Sequence, residues 1–375
     1  MTDIHLPDKM MQHALALAQK GIGYTWPNPL VGAVVVKNGK IVGEGYHEKI
    51  GGHHAEVHAL QMAKENAEGS DLFVTLEPCS HYGKTPPCTE SIIKAGIARV
   101  FVAMRDPNPL VNGKGLAKLN EHGIKVHVGI REKDARRQNR PFIKFITQGK
   151  PLVTLKLAQT LDGRIADAEG ASKWISGSAS RKLVHQWRTE VCAVLVGIGT
   201  VLEDNPRLTA RDYAGPQPVR IVLDRNLMIP ENCHLVQMKD AQNTIIFADE
   251  NQLHSAKAAE LKKIGLRIFG IDASQADPLS GILEKIAHLK IAHIMVEGGS
   301  GIASSFLAAD AVDDVKIFIA PRLFGEGTAA CSFKGWSADA PLKFENETWR
   351  RVGKDILFEG DVPGKQGDSN VHRVD

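Results

Sequence analysis

Three short stretches of this 375-residue chain carry residue types that suit a catalytic metal. His54-Ala55-Glu56 is followed by Pro78-Cys79 and then by Pro87-Cys88. One imidazole and two thiolates suit zinc, and a zinc that acts on substrate takes about three protein ligands and keeps a fourth position for water. Glu56 stands two residues past the histidine, where a carboxylate can take a proton from that water and return it to a leaving amine. Zinc deaminases share the pattern H-x-E followed by P-C-x-x-C. This chain keeps the first half and departs in the second, because eight residues (80–87) separate the cysteines. Two buried thiols without a metal are the competing reading of the cysteines taken alone. The full set in order argues for a metal. His53 and His58 are rival ligands, but only His54 holds the spacing to Glu56. His47 and His81 read as surface or substrate-loop residues.

A second stretch suits a phosphate. Glu297-Gly298-Gly299-Ser300-Gly301 follows a strand-like run and precedes a helix expected to begin near Ile302. Glycines let a backbone approach a phosphate, and the first amides of a helix point at it. The pyrophosphate of a nicotinamide dinucleotide is a natural occupant, and a plain glycine-rich turn is the competing reading. Gly197-Ile198-Gly199 also follows a strand-like run. Leu202 stands where the third glycine of the dinucleotide fingerprint would fall, which argues against a standard Rossmann site.

These residues need elements to hold them. Met10, Met11, Ala14, Leu15, Leu17 and Ala18 recur at helical spacing, and Gly21 and Gly23 end that helix. Residues 31–37 and 40–45, split by Asn38-Gly39, read as a tight hairpin. Helices at 54–64, 89–94 and 115–122 then alternate with strands at 72–76, 99–104 and 124–128, which predicts a layered α/β domain. Residues 131–140 are polar and charged, Pro141 follows, and Gly149-Lys150-Pro151 signals a turn. The boundary is therefore expected near 145–150, giving domains 1–147 and 148–363. Beyond it, strands at 151–156, 193–196, 219–223, 244–247, 267–269 and 293–296 are interleaved with helices at 178–188, 251–264 and 280–289. Residues 364–375 have little to bury and are expected to form a disordered tail.

Composition narrows the function. A hydrophobic fraction of 43% and a charged fraction of 24% are ordinary for a globular protein. A formal charge of +3 and an aromatic fraction of 6% are too low for a nucleic-acid-editing deaminase that relies on a basic face and stacking rings. A zinc-stabilised module without catalysis is disfavoured by Glu56 and by the count of three ligands. No apolar run is long enough to span a membrane, and the first nine residues lack the core of a secretion signal. A cytoplasmic enzyme acting on small molecules, with no nucleic-acid or membrane partner, is expected. Five cysteines in that compartment are thiols or ligands rather than bridges. A homo-oligomer stays open.

The run Pro78-Cys79-Ser80-His81-Tyr82-Gly83-Lys84-Thr85-Pro86-Pro87-Cys88 resembles the deaminase half of the bifunctional riboflavin biosynthesis deaminase/reductase. So do Asn28-Pro29-Leu30-Val31-Gly32-Ala33-Val34, Asp106-Pro107-Asn108-Pro109 and Asn112-Gly113-Lys114-Gly115. The longer cysteine gap is expected in that family. The resemblance implies a cytidine-deaminase-like three-layer domain, with zinc on His54, Cys79 and Cys88, Glu56 as the catalytic proton carrier and Asn28 on the pyrimidine. Residues 150–360 resemble the reductase half, a fold akin to dihydrofolate reductase. The similar stretches are Leu155-Lys156-Leu157-Ala158, Leu161-Asp162-Gly163-Arg164, Ser172-Lys173-Trp174-Ile175, the run from Gly199 to Thr209, and Glu297-Gly298-Gly299-Ser300-Gly301. The family pattern places Ser172, Arg188, Leu208 and Arg211 on substrate, with Lys156 and Glu297 facing it. It places Ala158, Trp174, Thr200 and Asp204 on NADPH, and the glycine turn with the helix start after it adds Gly299, Ser300, Gly301, Ile302, Ala303, Ser304 and Ser305 as expected cofactor residues. Arg188, Arg207 and Arg211 suit phosphate oxygens, although solvated surface arginines are the competing reading. Arg225, just past the 219–223 strand, could pair with the 2′-phosphate of NADP.

Overall fold

The computed structural model describes residues 6–82, 86–109, 111–272 and 277–365. The first five residues, Gly83, Lys84 and Thr85 of the inter-cysteine run, and residues 366–375 of the expected tail lie outside the described residues. The chain divides into two units, Met1–Gln148 and Gly149–Asp375.

The first unit runs α1 (Leu6–Ala18), β1 (Gly32–Lys37), β2 (Lys40–Tyr46), α2 (Ala55–Ala63), β3 (Asp71–Leu76), α3 (Cys88–Lys94), β4 (Arg99–Met104), α4 (Lys114–Glu121), β5 (Lys125–Val128), α5 (Glu132–Gln138) and α6 (Arg140–Gln148). Its sheet has the order β2-β1-β3-β4-β5. Strand β1 is antiparallel to β2 and β3, and β3, β4 and β5 are parallel. Asn38 and Gly39 both take positive φ, as the tight hairpin turn requires.

The period of two in the strands builds the layers. Ala33, Val35, Leu72, Val74, Val100 and Val102 face α2, α3 and α4. Their alternates Val34, Val36, Phe73 and Phe101 face α1, α5 and α6. The result is a three-layer sandwich in which β3 and α2 deliver the chemistry. Helix α2 lies hard against β2 because Gly43 and Gly45 have no side chain. A Cβ at either would run into a carbonyl of α2, at Ala59 or Ala55. Residues 131–140, read from the sequence only as polar and charged, form α5 and the start of α6. Acids in the first turn of α5 and arginines in its last suit the helix dipole, and Ala135, Phe142 and Ile143 are buried.

The second unit contains β6 (Leu152–Thr160), β7 (Arg164–Ala166), α7 (Ser178–Glu190), β8 (Ala193–Gly197), α8 (Ile198–Asp204), β9 (Val219–Leu223), α9 (His234–Gln237), β10 (Thr244–Asp249), α10 (Ala256–Ile264), β11 (Arg267–Ile271), α11 (Pro278–His288), β12 (His293–Val296), α12 (Ser300–Ala308), β13 (Asp314–Ala320), β14 (Thr328–Ala329), β15 (Glu345–Val352) and β16 (Asp355–Asp361). Nine strands form one sheet in the order β11-β10-β9-β8-β12-β6-β13-β16-β15. It is parallel from β11 to β13 and antiparallel at β16 and β15. Alternation again splits the core. Val194 and Val196 pack with Val184, Trp187, Leu235 and Leu261. Ala193 and Leu195 pack with Ile282, Ile286 and Phe306 on the other face. The chain reverses its march across the sheet where β12 returns between β8 and β6. In parallel sheets, ligands bind outside the carboxyl ends of the strands at such a reversal.

Candidate active sites

In the first unit the metal-type residues meet at helix starts. His54 caps α2, Glu56 lies in its first turn, Cys79 follows β3, and Cys88 opens α3. His54 Nδ1 lies 3.1 Å from Cys88 Sγ and 3.6 Å from Cys79 Sγ, and the three ligating atoms all lie within 4.8 Å of one another. Tetrahedral zinc with ordinary Zn–S and Zn–N lengths puts its ligands about 3.6–3.8 Å apart, so the donor set fits that ion. Among the described residues no other His, Cys, Asp and Glu group of three or more gathers this way. His53 and His58, the rival ligands, pair edge to face with each other and stay outside the cluster.

The electrostatics suit ligation and proton transfer. The Cys88 thiol donates to Cys79, and this contact, with those from His54 and the Cys88 amide, lowers the Cys79 pKa to about 4 against the effect of burial. Contact with Cys79 raises His54. Burial holds the Glu56 carboxyl above the usual carboxylate range, with His54 opposing.

Two residues around this cluster carry no marked role in the sequence reading. His47, expected on the surface or in a substrate loop, is only 4% exposed. Its Nδ1 donates to the His53 carbonyl at 3.0 Å, its Nε2 accepts from Asn28 at 3.1 Å, and its ring meets His54 edge to face. Burial lowers its pKa, which favours the neutral tautomer that this network requires. Asn28 therefore reaches the cluster through His47. Glu77, the residue before Pro78-Cys79, is buried. Its carboxylate accepts from the backbone amides of Asp106, Gly113, Gly115 and Leu116 at 3.0–3.4 Å. It ties the ligand loop to the 106–116 stretch that the sequence singles out. Asp106 in that stretch is raised to about 6, first by burial.

In the second unit a cavity of about 630 Å³ opens beside β6, past the end of β12 and against α7 and α8. Lys156 and Ala158 reach it from β6, Ser172 and Trp174 from the segment before α7, and Arg188 from α7. Thr200 and Asp204 reach it from α8, Leu208 and Arg211 from the following loop, and Glu297 and Gly299 from the turn before α12. Arg188 holds Glu297 through a paired fork, Nε to Oε1 at 2.7 Å and Nη2 to Oε2 at 2.9 Å. Lys156 Nζ lies 3.9 Å from the same carboxylate. Burial works to raise Glu297, but Arg188 and Lys156 outweigh it and hold the acid below its usual range. Burial lowers Lys156. The Arg188 fork is thus committed to Glu297 rather than open to a phosphate.

The remaining expected cofactor residues spread out. The α12 helix begins at Ser300, two residues before the expected start. Gly299 has ordinary extended backbone, and a Cβ there would meet nothing closer than Thr200 Oγ1 at 4.0 Å. Gly197 and Gly298 are required for packing, since a Cβ on either would collide with Ile302. Ala303 is buried in the core, Ser304 Oγ accepts from the Ser332 amide, and Ser305 Oγ donates to the Gly301 carbonyl. Ser300 and the five residues after it do not line the cavity, and neither does Arg225, which is 66% exposed with Nε 3.7 Å from Asp249. His185, which the sequence reading passes over, does line it.

Comparison with known proteins gives two family matches. Residues 5–104 match the cytidine and deoxycytidylate deaminase zinc-binding region, and residues 151–358 match the RibD C-terminal domain. Riboflavin biosynthesis protein RibD of Aquifex aeolicus is 47% identical over 93% of this chain and 96% of its own length. The solved structure of Acinetobacter baumannii RibD superposes with a TM-score of 0.88 at 36% identity, covering 96% of this chain and 99% of that one. A diaminohydroxyphosphoribosylaminopyrimidine deaminase/5-amino-6-(5-phosphoribosylamino)uracil reductase from Thermotoga maritima superposes with a TM-score of 0.86 at 38% identity, over 96% and 99% of the two chains.

Proposed function

This chain belongs to the RibD family of riboflavin biosynthesis, bifunctional enzymes with a zinc-binding deaminase domain and a reductase domain, and from that premise we propose how its two sites divide the work. The first unit removes the exocyclic amine of a diaminohydroxy-phosphoribosylamino-pyrimidine and leaves the matching uracil and ammonia. The second reduces the ribosyl group to ribityl with NADPH.

The observation that carries this reading is the His54, Cys79 and Cys88 cluster with buried Glu56 beside it. Zinc held by those three residues, one per chain, would supply an activated water. Glu56 is then the group that accepts a proton and delivers it to the leaving amine, and its burial suits it to keep that proton between the two steps. The His47 network fixes Asn28, whose Oδ1 is left to accept from the pyrimidine edge. In the second unit NADPH brings the hydride. Lys156, lowered by burial and steadied by Glu297, is placed to face the ribosyl carbon and its oxygen. Thiol ligands and NADPH both suit a reducing compartment, so we place the chain in the cytoplasm.

Incubating the pure chain with the phosphoribosylated diaminopyrimidine, with and without NADPH, tests both halves by mass spectrometry. The uracil is expected without NADPH and the ribityl product with it. A chain that yields neither overturns the proposal. The halves are also separable in this reading: a fragment of residues 1–147 deaminates alone. A folded, zinc-loaded fragment with no activity would refute that independence.

A further inference from the structure

His185 has no role in the reading above, yet it forms part of the wall of the second cavity. It lies on α7 three residues before Arg188 and is 5% exposed. Its Nδ1 donates to the Thr209 carbonyl at 2.9 Å, and Arg188 Nη1 donates to the same oxygen at 2.9 Å. Its Nε2 lies 3.3 Å from Asp212 Oδ2. The neutral ring therefore holds the Thr209 end of the turn that presents Arg211, and Nε2 stands ready to hold the Asp212 end once it is protonated. Leu208 enters this turn with a φ of 54°, a left-handed conformation that a leucine keeps only when its surroundings hold it. The Arg188 fork is committed to Glu297, whereas Arg211 makes no ion pair among the described residues. Arg211 is thus available to meet an anionic substrate group, with Arg207 of the same loop also on the lining.

We propose that His185 is a positioning residue for the phosphate end of the reductase substrate, holding the 208–212 turn so that Arg211 faces the cavity. The inference rests on the phosphoribosyl reading of the second site. The groups that face His185 are Arg188 on its own helix, Thr209, Arg211 and Asp212 on the turn, and Glu297 before α12. Burial, then Arg188 and Arg211, hold the imidazole below its ordinary value, with Asp212 and Thr209 opposing. The neutral ring is the form at neutral pH. Acidification puts a proton on Nε2, opposite the Asp212 carboxylate, and tightens the grip on the turn.

The test uses the full chain, saturating NADPH, and two substrates: the phosphoribosylaminouracil and its dephosphorylated counterpart. His185→Phe should raise KM for the phosphorylated substrate about tenfold while kcat, the NADPH KM and deamination stay within about twofold. The dephosphorylated substrate should be nearly indifferent. His185→Asn keeps a donor near Nδ1 and should recover much of the loss. It cannot take the second proton, so its KM should fail to share the tightening that the wild type shows as pH falls below the ordinary imidazole value of 6.5. Parallel pH profiles, an equal KM rise for both substrates, or a fall in kcat with KM unchanged would each overturn the role. A folding failure of the Phe variant leaves the Asn pH profile to decide. A wild-type chain that does not reduce the substrate at all would instead overturn the assignment of the second site.

Discussion

In the first unit, three ligating atoms lie within 4.8 Å of one another and come from two helix starts and one loop. In the second, the expected substrate residues and only part of the expected cofactor residues line a hollow of about 630 Å³, and those that do come from one strand, two helices and three connecting segments. The first site depends on atom type, because only certain donors hold zinc. The second depends on shape and on how buried charges are shared. Substitution should therefore abolish function abruptly in the first unit and by graded amounts in the second.

The sharpest break is expected at Glu56 and Cys88. Glu56→Gln keeps the shape but cannot carry the proton, and deamination should fall about 10²–10⁴-fold with zinc retained. Cys88→Ser should lose both zinc and deamination. Reduction of supplied uracil substrate should continue in both variants. Metal analysis beside the two assays decides the matter: full zinc in Cys88→Ser, or near-normal deamination in Glu56→Gln, would erase the contrast between the units.

The next effect belongs to the buried charges of the second unit. Removing the Glu297 carboxylate strands Arg188, which is itself buried, and breaking such a pair costs about 3–5 kcal/mol. Glu297→Ala should lower the unfolding midpoint of this unit, followed by the fluorescence of buried Trp187, and should also lose reduction. The pH dependence has a definite sign. The folded Glu297 is held below its ordinary value of 4.5, so its contribution is present above that pH and disappears as pH falls through the folded value. The acid-unfolding curve of Glu297→Gln should lack this component, and an unchanged curve would show that Arg188 and Glu297 do not share a pair in solution.

What was legible in the sequence follows the same divide. His54, Glu56, Cys79 and Cys88 were legible because ligand chemistry restricts residue type and spacing. The layers were legible because the apolar residues of β1, β3, β4 and β8 split so evenly between two faces. His47 was hidden, since its partners His53, His54 and Asn28 meet it only after folding. The commitment of Arg188 to Glu297, 109 positions away, was hidden for the same reason. Strand β15 gives almost no apolar signal because it is an exposed edge, while β13 carries one in Val315, Ile317 and Phe318 that the sequence reading passes over. The charge order along α5 was likewise a readable helix signal behind an apparently plain polar stretch.

A milder effect tests the glycine turn. Because a Cβ on Gly299 would meet only Thr200 Oγ1 at 4.0 Å, Gly299→Val should be accepted with little change in folding stability. Any rise in the NADPH KM then reports on the cofactor and not on a damaged fold, and about tenfold or more is expected if the phosphates pass this turn. An unchanged KM would move the cofactor elsewhere along the cavity.

The smallest effect is expected at Arg225, where residue type and position in the fold point in opposite directions. A guanidinium suits a 2′-phosphate by type, as zinc suits thiols. Yet the side chain is 66% exposed, stands 3.7 Å from Asp249, and lies outside the cavity lining. Charges so placed in water gain little from one partner and are screened by salt. Arg225→Ala should therefore change the ratio of NADPH to NADH KM by no more than about fivefold, with the change shrinking as salt rises. A shift well beyond tenfold would show that bound cofactor draws Arg225 inward and that residue type outweighs its resting position. No shift in the ratio would leave discrimination between the cofactors to the residues that line the cavity itself.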